Sequence, residues 1–426
     1  MYNLRGGFLV RPLTIALALG AAGAFLSWLE ETVPAMGEWV PKALFPSHAD
    51  PQVAQVILGG IAASIMTVVS IVFAILLMTL TLASMQFSPR IIVSFVKDRG
   101  TQWTLGIFLG TFSYCMAALP AARSQPYPFA PVVTVMGAML LAIVCVAWLL
   151  FFIHHISQAI SVNYIVDRIA SETEAMLDEI MPWPRRPSRL AEAGPIPPGV
   201  QEAAILSDVS GYIRFIDTRR LVFLAKACRV KVRLLRRVGQ FIPAGTPLLM
   251  VSKGDRLVPE NSDDFRGAFD LGPSRTLQQD VEFGVLQIVD IALKAISPAV
   301  NDPSTAISCV DQLSRVLIRF ASREPSEALL YDPPGVVRVS IPWIDFDGLV
   351  DSAFEQIRMY SKGDVAVSLR LLRALGDVAA STPDPAYRRT LAEQSRRILA
   401  GCAEKLGEGE LARIRVRLAG LEQFLV

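Results

Sequence analysis

Four long apolar segments dominate the first 153 residues of the chain. They run over about 12–29, 53–85, 103–122 and 132–153, and none of them contains Asp, Glu, Lys or Arg. An α-helix needs about 20 apolar residues to cross the hydrocarbon core of a bilayer. The pattern therefore predicts four transmembrane helices.

The second apolar segment is longer than one crossing requires. No charged residue occurs between Pro51 and Pro89. As a single helix this stretch would extend roughly 58 Å, nearly twice the ~30 Å hydrocarbon core. Part of it must therefore tilt, pack against protein or project from the bilayer.

Polar residues become frequent after the fourth segment. Residues 161–200 predict a helix that leaves the membrane, followed by a linker rich in proline and arginine. Residues 201–256 alternate as a small β-rich module, and 257–426 have mainly helical spacing. With a transmembrane domain over 1–160, the chain is predicted to be α+β: a four-helix transmembrane bundle followed by a mixed cytoplasmic region.

The composition agrees with this division. The 426-residue chain is 52% hydrophobic and only 19% charged, against about 25% charged residues in a typical soluble domain. Residues 1–160 hold seven Lys and Arg and five Asp and Glu, which leaves 34 of each sign for 161–426. These numbers exclude a soluble enzyme, a nucleic-acid binder driven by bulk basicity and a disordered chain.

Cysteine and histidine are too few and too scattered to indicate a metal site. The five cysteines form no CxxC pair, and there are three histidines. We expect the cysteines to be reduced, and we expect neither a metal nor another cofactor.

Basic residues in the short loops predict the orientation of the bundle. Five Lys and Arg lie before the first span or between the second and the third, against two on the opposite side. Because cytoplasmic loops carry the excess of Lys and Arg, both termini are expected in the cytoplasm of a bacterial inner membrane. The five residues are Arg5, Arg11, Arg90, Lys97 and Arg99.

Small residues recur at helical spacing inside the spans. Gly106 and Gly110 form a GxxxG in the third span, Ala16, Gly20 and Ala24 repeat this spacing in the first, and Gly60 with Ser64 does so in the second. Such residues let helix backbones approach closely in lipid. Contacts within one chain and contacts between copies of the chain would explain them equally well.

The second span carries a stripe of small and hydroxyl-bearing side chains close to one helix face. One interpretation is the lining of a pore or cavity; the other is helix packing, with hydroxyls bonded to the preceding turn. The pore-lining candidates are Gly60, Ser64, Thr67, Ala74, Thr81 and Ser84.

Two segments are typical of a known family. They are ASMQFSPRIIVSFVKDRGTQWTLGIFLGTFSY, from Ala83, and QDVEFGVLQIVDIALKAISPAVNDPSTAISCVDQL, from Gln279. Together they resemble the family of predicted bacterial membrane proteins called domain of unknown function 2254. The resemblance implies an N-terminal membrane bundle and a C-terminal soluble region, and it brings no reaction, ligand or catalytic residue.

Both segments also contain candidate site residues. Gln86, Ser88, Arg90 and Arg99 could form the cytoplasmic mouth of an anion path, or cap an interfacial helix and face lipid phosphates. A second group could line a cytoplasmic pocket, or serve as helix caps and surface ion pairs. That group is Asp280, Asp290, Asn301 and Asp302.

Two functional hypotheses follow. The first is a homo-oligomeric channel or transport-type protein that conducts a small ion or ligand, with the second span lining the path and the cytoplasmic region gating or assembling it. The alternative is a membrane-anchored scaffold or sensor whose cytoplasmic domain binds a ligand or partner. No catalytic motif such as HExxH or GxxxxGK[ST] is present, so an enzyme is not expected. The expected partners are the lipid bilayer and further copies of the chain, without nucleic acid.

Overall fold

A computed structural model describes most of the chain as two compact units, residues 1–161 and 162–426. The residues that it describes are 10–33, 50–86, 99–124, 128–159, 161–181, 202–256, 259–323, 329–332 and 335–425.

The described residues of the N-terminal unit form four long helices. They are α1 (Val10–Thr32), α2 (Pro51–Gln86), α3 (Arg99–Ala118) and α4 (Val132–Ala159), and a 3₁₀ turn (Leu119–Ala121) follows α3. All four are long and apolar enough to cross a membrane, which confirms the four predicted spans. The second helix is a single element of 36 residues, or roughly 54 Å at 1.5 Å per residue.

Helix α3 is the central helix of this unit. Half of its apolar stretch is buried, against 17–22% in the other three helices. It packs closely on α1, where a Cβ added to Gly106 would lie 2.6 Å from Cδ1 of Ile15, and one added to Gly23 would lie 2.6 Å from the carbonyl oxygen of Tyr114. The small residues of α1 and α3 therefore make contacts within one chain.

A buried carboxylate joins the end of α1 to the start of α4. Glu30 is 2% exposed and accepts hydrogen bonds from the backbone N–H groups of Val133 (2.8 Å) and Thr134 (3.1 Å) and from the Thr134 hydroxyl (3.1 Å). The first N–H groups of a helix have no acceptor inside it. Glu30 therefore satisfies donors that would otherwise be buried without a partner, and it complements the helix dipole.

The C-terminal unit begins with α5 (Val162–Ile180) and combines short strands with helices. Its strands are β1 (Glu202–Leu206), β2 (Gly211–Ile216), β3 (Val232–Leu234), β4 (Phe241–Ile242), β5 (Pro247–Ser252), β6 (Phe269–Gly272), β7 (Leu329–Asp332) and β8 (Val336–Ser340). Its further helices are α6 (Thr218–Ala227), α7 (Pro259–Arg266), α8 (Val281–Ala295), α9 (Pro303–Ala321), α10 (Phe346–Tyr360), α11 (Val365–Ser381), α12 (Pro385–Ala403) and α13 (Glu408–Leu425).

The strands form a five-stranded sheet in the order β1-β5-β3-β8-β7 and a three-stranded sheet in the order β4-β2-β6. Neighbours are antiparallel except β3 and β8, which pair in parallel with Val232 opposite Val339. Residue 256, expected as the end of a β-rich module, does not end the sheets, because β6, β7 and β8 complete them from later in the chain. The α+β class is confirmed.

Within the described part of this unit, aspartate side chains begin six helices. Each carboxylate accepts a hydrogen bond from a backbone N–H in the first turn, which is the usual role of an N-cap. Asp302 followed by Pro303 at the start of α9 confirms the cap predicted from sequence. The six capping residues are Asp217, Asp280, Asp302, Asp345, Asp364 and Asp384.

Candidate functional site

The stripe of the second span lies on the outer face of α2. Every residue of the stripe whose burial the structure describes is exposed. A Cβ added at Gly60 would meet no atom from another part of the chain within 4 Å. The opposite face packs on the bundle through Leu58, Ile65 and Val72. Contacts within the described part of this chain therefore do not account for the stripe, whose exposed members are Gly60, Ser64, Thr67, Ala74 and Thr81.

Two further small residues extend the stripe into a regular pattern. Ala63 and Ser70 are also exposed. When Leu77 is included and Ser64, beside Ala63, is left out, the exposed positions alternate at spacings of three and four residues. This spacing keeps residues on one helix face and is the pattern of helices that pack side by side. We call the set the α2 seam: Gly60, Ala63, Thr67, Ser70, Ala74, Leu77 and Thr81.

Six of the seven seam positions are Gly, Ala, Ser or Thr, and Leu77 is the exception. Large exposed side chains flank the seam, including Ile71, Phe73 and Met78. The sequence-based prediction omitted Ala63 and Ser70, although their helical spacing from Gly60 would have placed them on the same face.

The seam hydroxyls are bonded to their own helix. Thr67 donates to the carbonyl oxygen of Ala63 (3.0 Å), Ser70 to that of Met66 (3.0 Å) and Thr81 to that of Leu77 (2.9 Å). A hydroxyl that has donated its hydrogen still has lone pairs with which to accept. The outer face of α2 therefore presents acceptor oxygens between small apolar groups.

The predicted cytoplasmic mouth is largely beyond the described structure. Ser88 and Arg90 lie outside the described residues, and the side chains of Ser84, Gln86 and Arg99 are not described. Their roles remain predictions.

The four pocket candidates are not brought together. Asp280 caps the start of α8, whereas Asp302 follows the other end of that helix and caps α9. Because α8 has 15 residues, the two carboxylates are separated by roughly 22 Å of helix. Asp290 lies within α8 between them, and Asn301 is exposed with a φ of 51°.

Asp280 instead belongs to a buried ionic cluster. Arg275 donates two hydrogen bonds to its carboxylate (2.7 and 2.8 Å) and one to Glu282 (2.8 Å), and Arg237 donates to Glu282 (3.1 Å). Gly239, at a φ of 87°, leaves no room for a side chain beside Asp280. This cluster fixes the β4 turn against the start of α8, and sequence reasoning missed its arginines.

Burial and hydrogen bonding act in opposite directions on the two carboxylates. Burial raises the pKa of Asp280 in spite of its bonds from Arg275. For Glu282, burial also favours the neutral form, but the hydrogen bonds from Arg237 and Arg275 outweigh it and lower the pKa. The cluster is therefore held by paired charges, in the way that structural ionic groups are.

At the start of α9, the Asp302 carboxylate and the Thr305 hydroxyl are likewise hydrogen-bonded within the structure. Asp302 accepts from the Thr305 hydroxyl (2.5 Å) and backbone N–H (3.1 Å), and these bonds lower its pKa. In the part of the chain that the structure describes, no three His, Cys, Asp or Glu side chains are arranged to hold a metal ion.

Four membrane-spanning helices followed by a separate α+β unit define a polytopic membrane protein with a large folded region outside its spans. The chain belongs to the family Predicted membrane protein (DUF2254), which matches residues 5–377.

Mycobacterial relatives cover most of the chain. It is 33% identical over 392 residues to the uncharacterized protein Mb1321c of Mycobacterium bovis and to Rv1290c of Mycobacterium tuberculosis H37Rv, spanning 90% of this chain and 74% of each relative. No solved structure matches the chain.

Proposed function

We propose that this protein is a homo-oligomeric channel or transport-type protein in which copies of α2 surround a path for a small ion or ligand. The observation that carries this proposal is the α2 seam, which is exposed, small and rich in hydroxyl oxygens. Small side chains leave space at an axis, and acceptor oxygens can hydrogen-bond water or coordinate a cation there.

The location and orientation follow from the charged loops. We place the protein in a bacterial inner membrane with both termini in the cytoplasm, because Lys and Arg favour the cytoplasmic side. The C-terminal unit would then gate or assemble the oligomer from the cytoplasm, without a catalytic role.

A flux assay tests the channel directly. Purified protein in liposomes should pass small anions or cations selectively, and Thr67→Trp or Ala74→Trp should block this flux while leaving the oligomer intact. Val146→Trp is the matched control, because Val146 lies exposed on the outer face of α4. Equal loss of flux in all three variants would contradict a path along α2.

The oligomer itself has an independent test. In membranes, Ser70→Cys should form a disulfide between copies on mild oxidation, and Leu150→Cys on α4 should not. The described native cysteines of the spans, Cys115 and Cys145, are buried and provide a low background. A monomer by light scattering in mild detergent, with no cross-link at residue 70, would exclude the channel.

A scaffold or sensor is the second candidate. It is favoured by the C-terminal unit, which has its own hydrophobic core around residues such as Ile213, Val232 and Leu249. Intact protein that transports no ion in liposomes would support this function over a channel.

A further inference from the structure

We infer that a surface groove of the C-terminal unit binds an anionic phospholipid, with its phosphate on arginines of α13 and an acyl chain on an aliphatic floor. This inference does not depend on ion conduction. The groove lies between α11 and α13 and reaches Ile307 of α9. It consists of two adjoining hollows of about 420 and 390 Å³, both shallow and open to solvent, that share Leu369 and Arg417.

Two arginines in the groove have no ion-pair partner among the described residues. Arg413 and Arg417 stand four residues apart on α13, so they lie on the same helix face. Like charges at this spacing repel each other. The other two arginines of the groove are already paired, Arg370 with Asp311 and Arg373 with Asp377 (3.7 Å). A bound anion would therefore relieve the repulsion on α13.

Phosphate matches these side chains in geometry as well as in charge. The guanidinium group presents a planar fork of donors that can bind two phosphate oxygens at once. Two such groups on adjacent turns of α13 can share one phosphodiester. Basic pockets between transmembrane helices bind the head groups of anionic lipids through the same chemistry.

The floor of the groove distinguishes a lipid from a free anion or a nucleotide. It is formed by Ile307 and Leu369, and Val416, which is 74% exposed although it is apolar, stands at its rim. Among the described residues that line the two hollows there is no aromatic ring on which a base could stack. Aliphatic side chains next to arginines that have no ion-pair partner among the described residues complement an amphiphile.

The groove also combines two parts of the sequence. Leu369, Arg370 and Arg373 fall within residues 5–377, which match the family, whereas α13 lies beyond that range. The unpaired arginines are therefore outside the region that defines the family.

The test uses the full chain in a neutral detergent and a soluble probe, dioctanoyl phosphatidylglycerol, with binding followed by microscale thermophoresis. Arg413→Gln with Arg417→Gln should weaken binding about tenfold, since two charge-assisted contacts are lost. The control is Arg396→Gln with Arg415→Gln, which removes the same charge from exposed positions outside the groove. Its affinity should stay within about twofold of the unmodified chain.

Further arms separate the possible sources of the phosphate. Val416→Ser should weaken lipid binding about threefold through lost apolar contact. Dioctanoyl phosphatidylcholine and inorganic phosphate should bind at least tenfold more weakly than the anionic lipid. Equal binding of inorganic phosphate, equal binding of the zwitterionic lipid, or equal weakening in the control double variant would each overturn the inference. Unchanged thermal melting of the variants ensures that lost binding is not lost folding.

Discussion

Helices α2 and α4 are alike in hydropathy, but α2 carries a stripe of small side chains within its outer face. Their apolar stretches have the same mean hydropathy and the same buried share, 17%. The outer face of α4 carries large side chains, whereas the α2 seam consists almost entirely of small ones. The large exposed residues of α4 include Leu140, Ile143, Val146, Leu150 and Ile153.

This difference is informative because lipid does not select for small residues. Large aliphatic side chains make good contact with acyl chains, while Gly, Ala, Ser and Thr are enriched where another helix or water approaches the backbone. Hydropathy alone would assign both faces to lipid. Side-chain size separates a face that suits lipid from one that suits a further copy of the chain or a wet axis.

A lysine placed on the outer face of α2 or of α4 should give the largest difference in the yield of folded protein. We expect Val146→Lys to lower the yield of inserted, folded protein strongly, because a cation near the middle of a lipid-facing helix costs about 3 kcal/mol. Thr67→Lys, equally central in its span, should cost less than about 1 kcal/mol if water reaches the seam. Size-exclusion chromatography of fluorescently tagged protein measures both yields. Equal losses would mean that both faces meet lipid.

One added methyl group should change the stability of the protein differently at a glycine packed against another helix and at an exposed glycine. A Cβ at Gly23 would collide with the Tyr114 backbone, which cannot move as a side chain can. We expect Gly23→Ala to destabilise the protein by about 2–3 kcal/mol. Gly60→Ala should be neutral or stabilising by up to about 1 kcal/mol, because the position is open and alanine favours helix.

Thermal unfolding in detergent measures both glycine variants. Destabilisation by Gly60→Ala comparable with that of Gly23→Ala would show that the start of the seam is already packed against protein.

Much of the fold could be predicted from the sequence, but not all of it. Charge-free length located the four spans, and the Asp302–Pro303 pair located the start of α9, because both signals are local. The role of Glu30 was missed: in sequence it reads as one of several acids in a loop, and only the fold places it beside Val133. The pairing of β3 with β8 likewise joins residues about 100 positions apart, which no local pattern specifies.

The sequence could predict most of the seam residues but not their role, for a similar reason. Spacing identified Thr67, Ala74 and Thr81, but packing and pore lining predict the same residues. Exposure in the folded unit removes packing within the described part of the chain as an explanation. The unpaired state of Arg413 and Arg417 could not be foreseen, since it depends on which acids the fold brings near α13.

Glu30 holds the first turn of α4 through three hydrogen bonds, and a pair of adjacent glutamates tests its contribution. Glu30→Gln should destabilise the protein by about 1–2 kcal/mol, because the amide has a single acceptor oxygen for donors that two carboxylate oxygens now share. Glu31→Gln removes only an exposed ion pair with Arg123, and we expect no more than about 0.5 kcal/mol. Equal melting shifts for the two variants would contradict an anchoring role for Glu30.

Removing hydroxyl groups without changing side-chain shape should have the smallest effect, and it tests whether water reaches the seam. Thr67→Val with Thr81→Val keeps the volume of both side chains and removes two acceptor oxygens, so we expect about threefold lower flux in liposomes with an unchanged oligomer. Thr14→Val is the matched control, because Thr14 lies exposed on α1. Its hydroxyl also donates to its own helix, to the carbonyl oxygen of Arg11 (2.8 Å). Flux that survives the double variant unaltered would leave the seam with a packing role, since the valines fill the same space. Flux that falls equally with Thr14→Val would show that the loss does not come from α2.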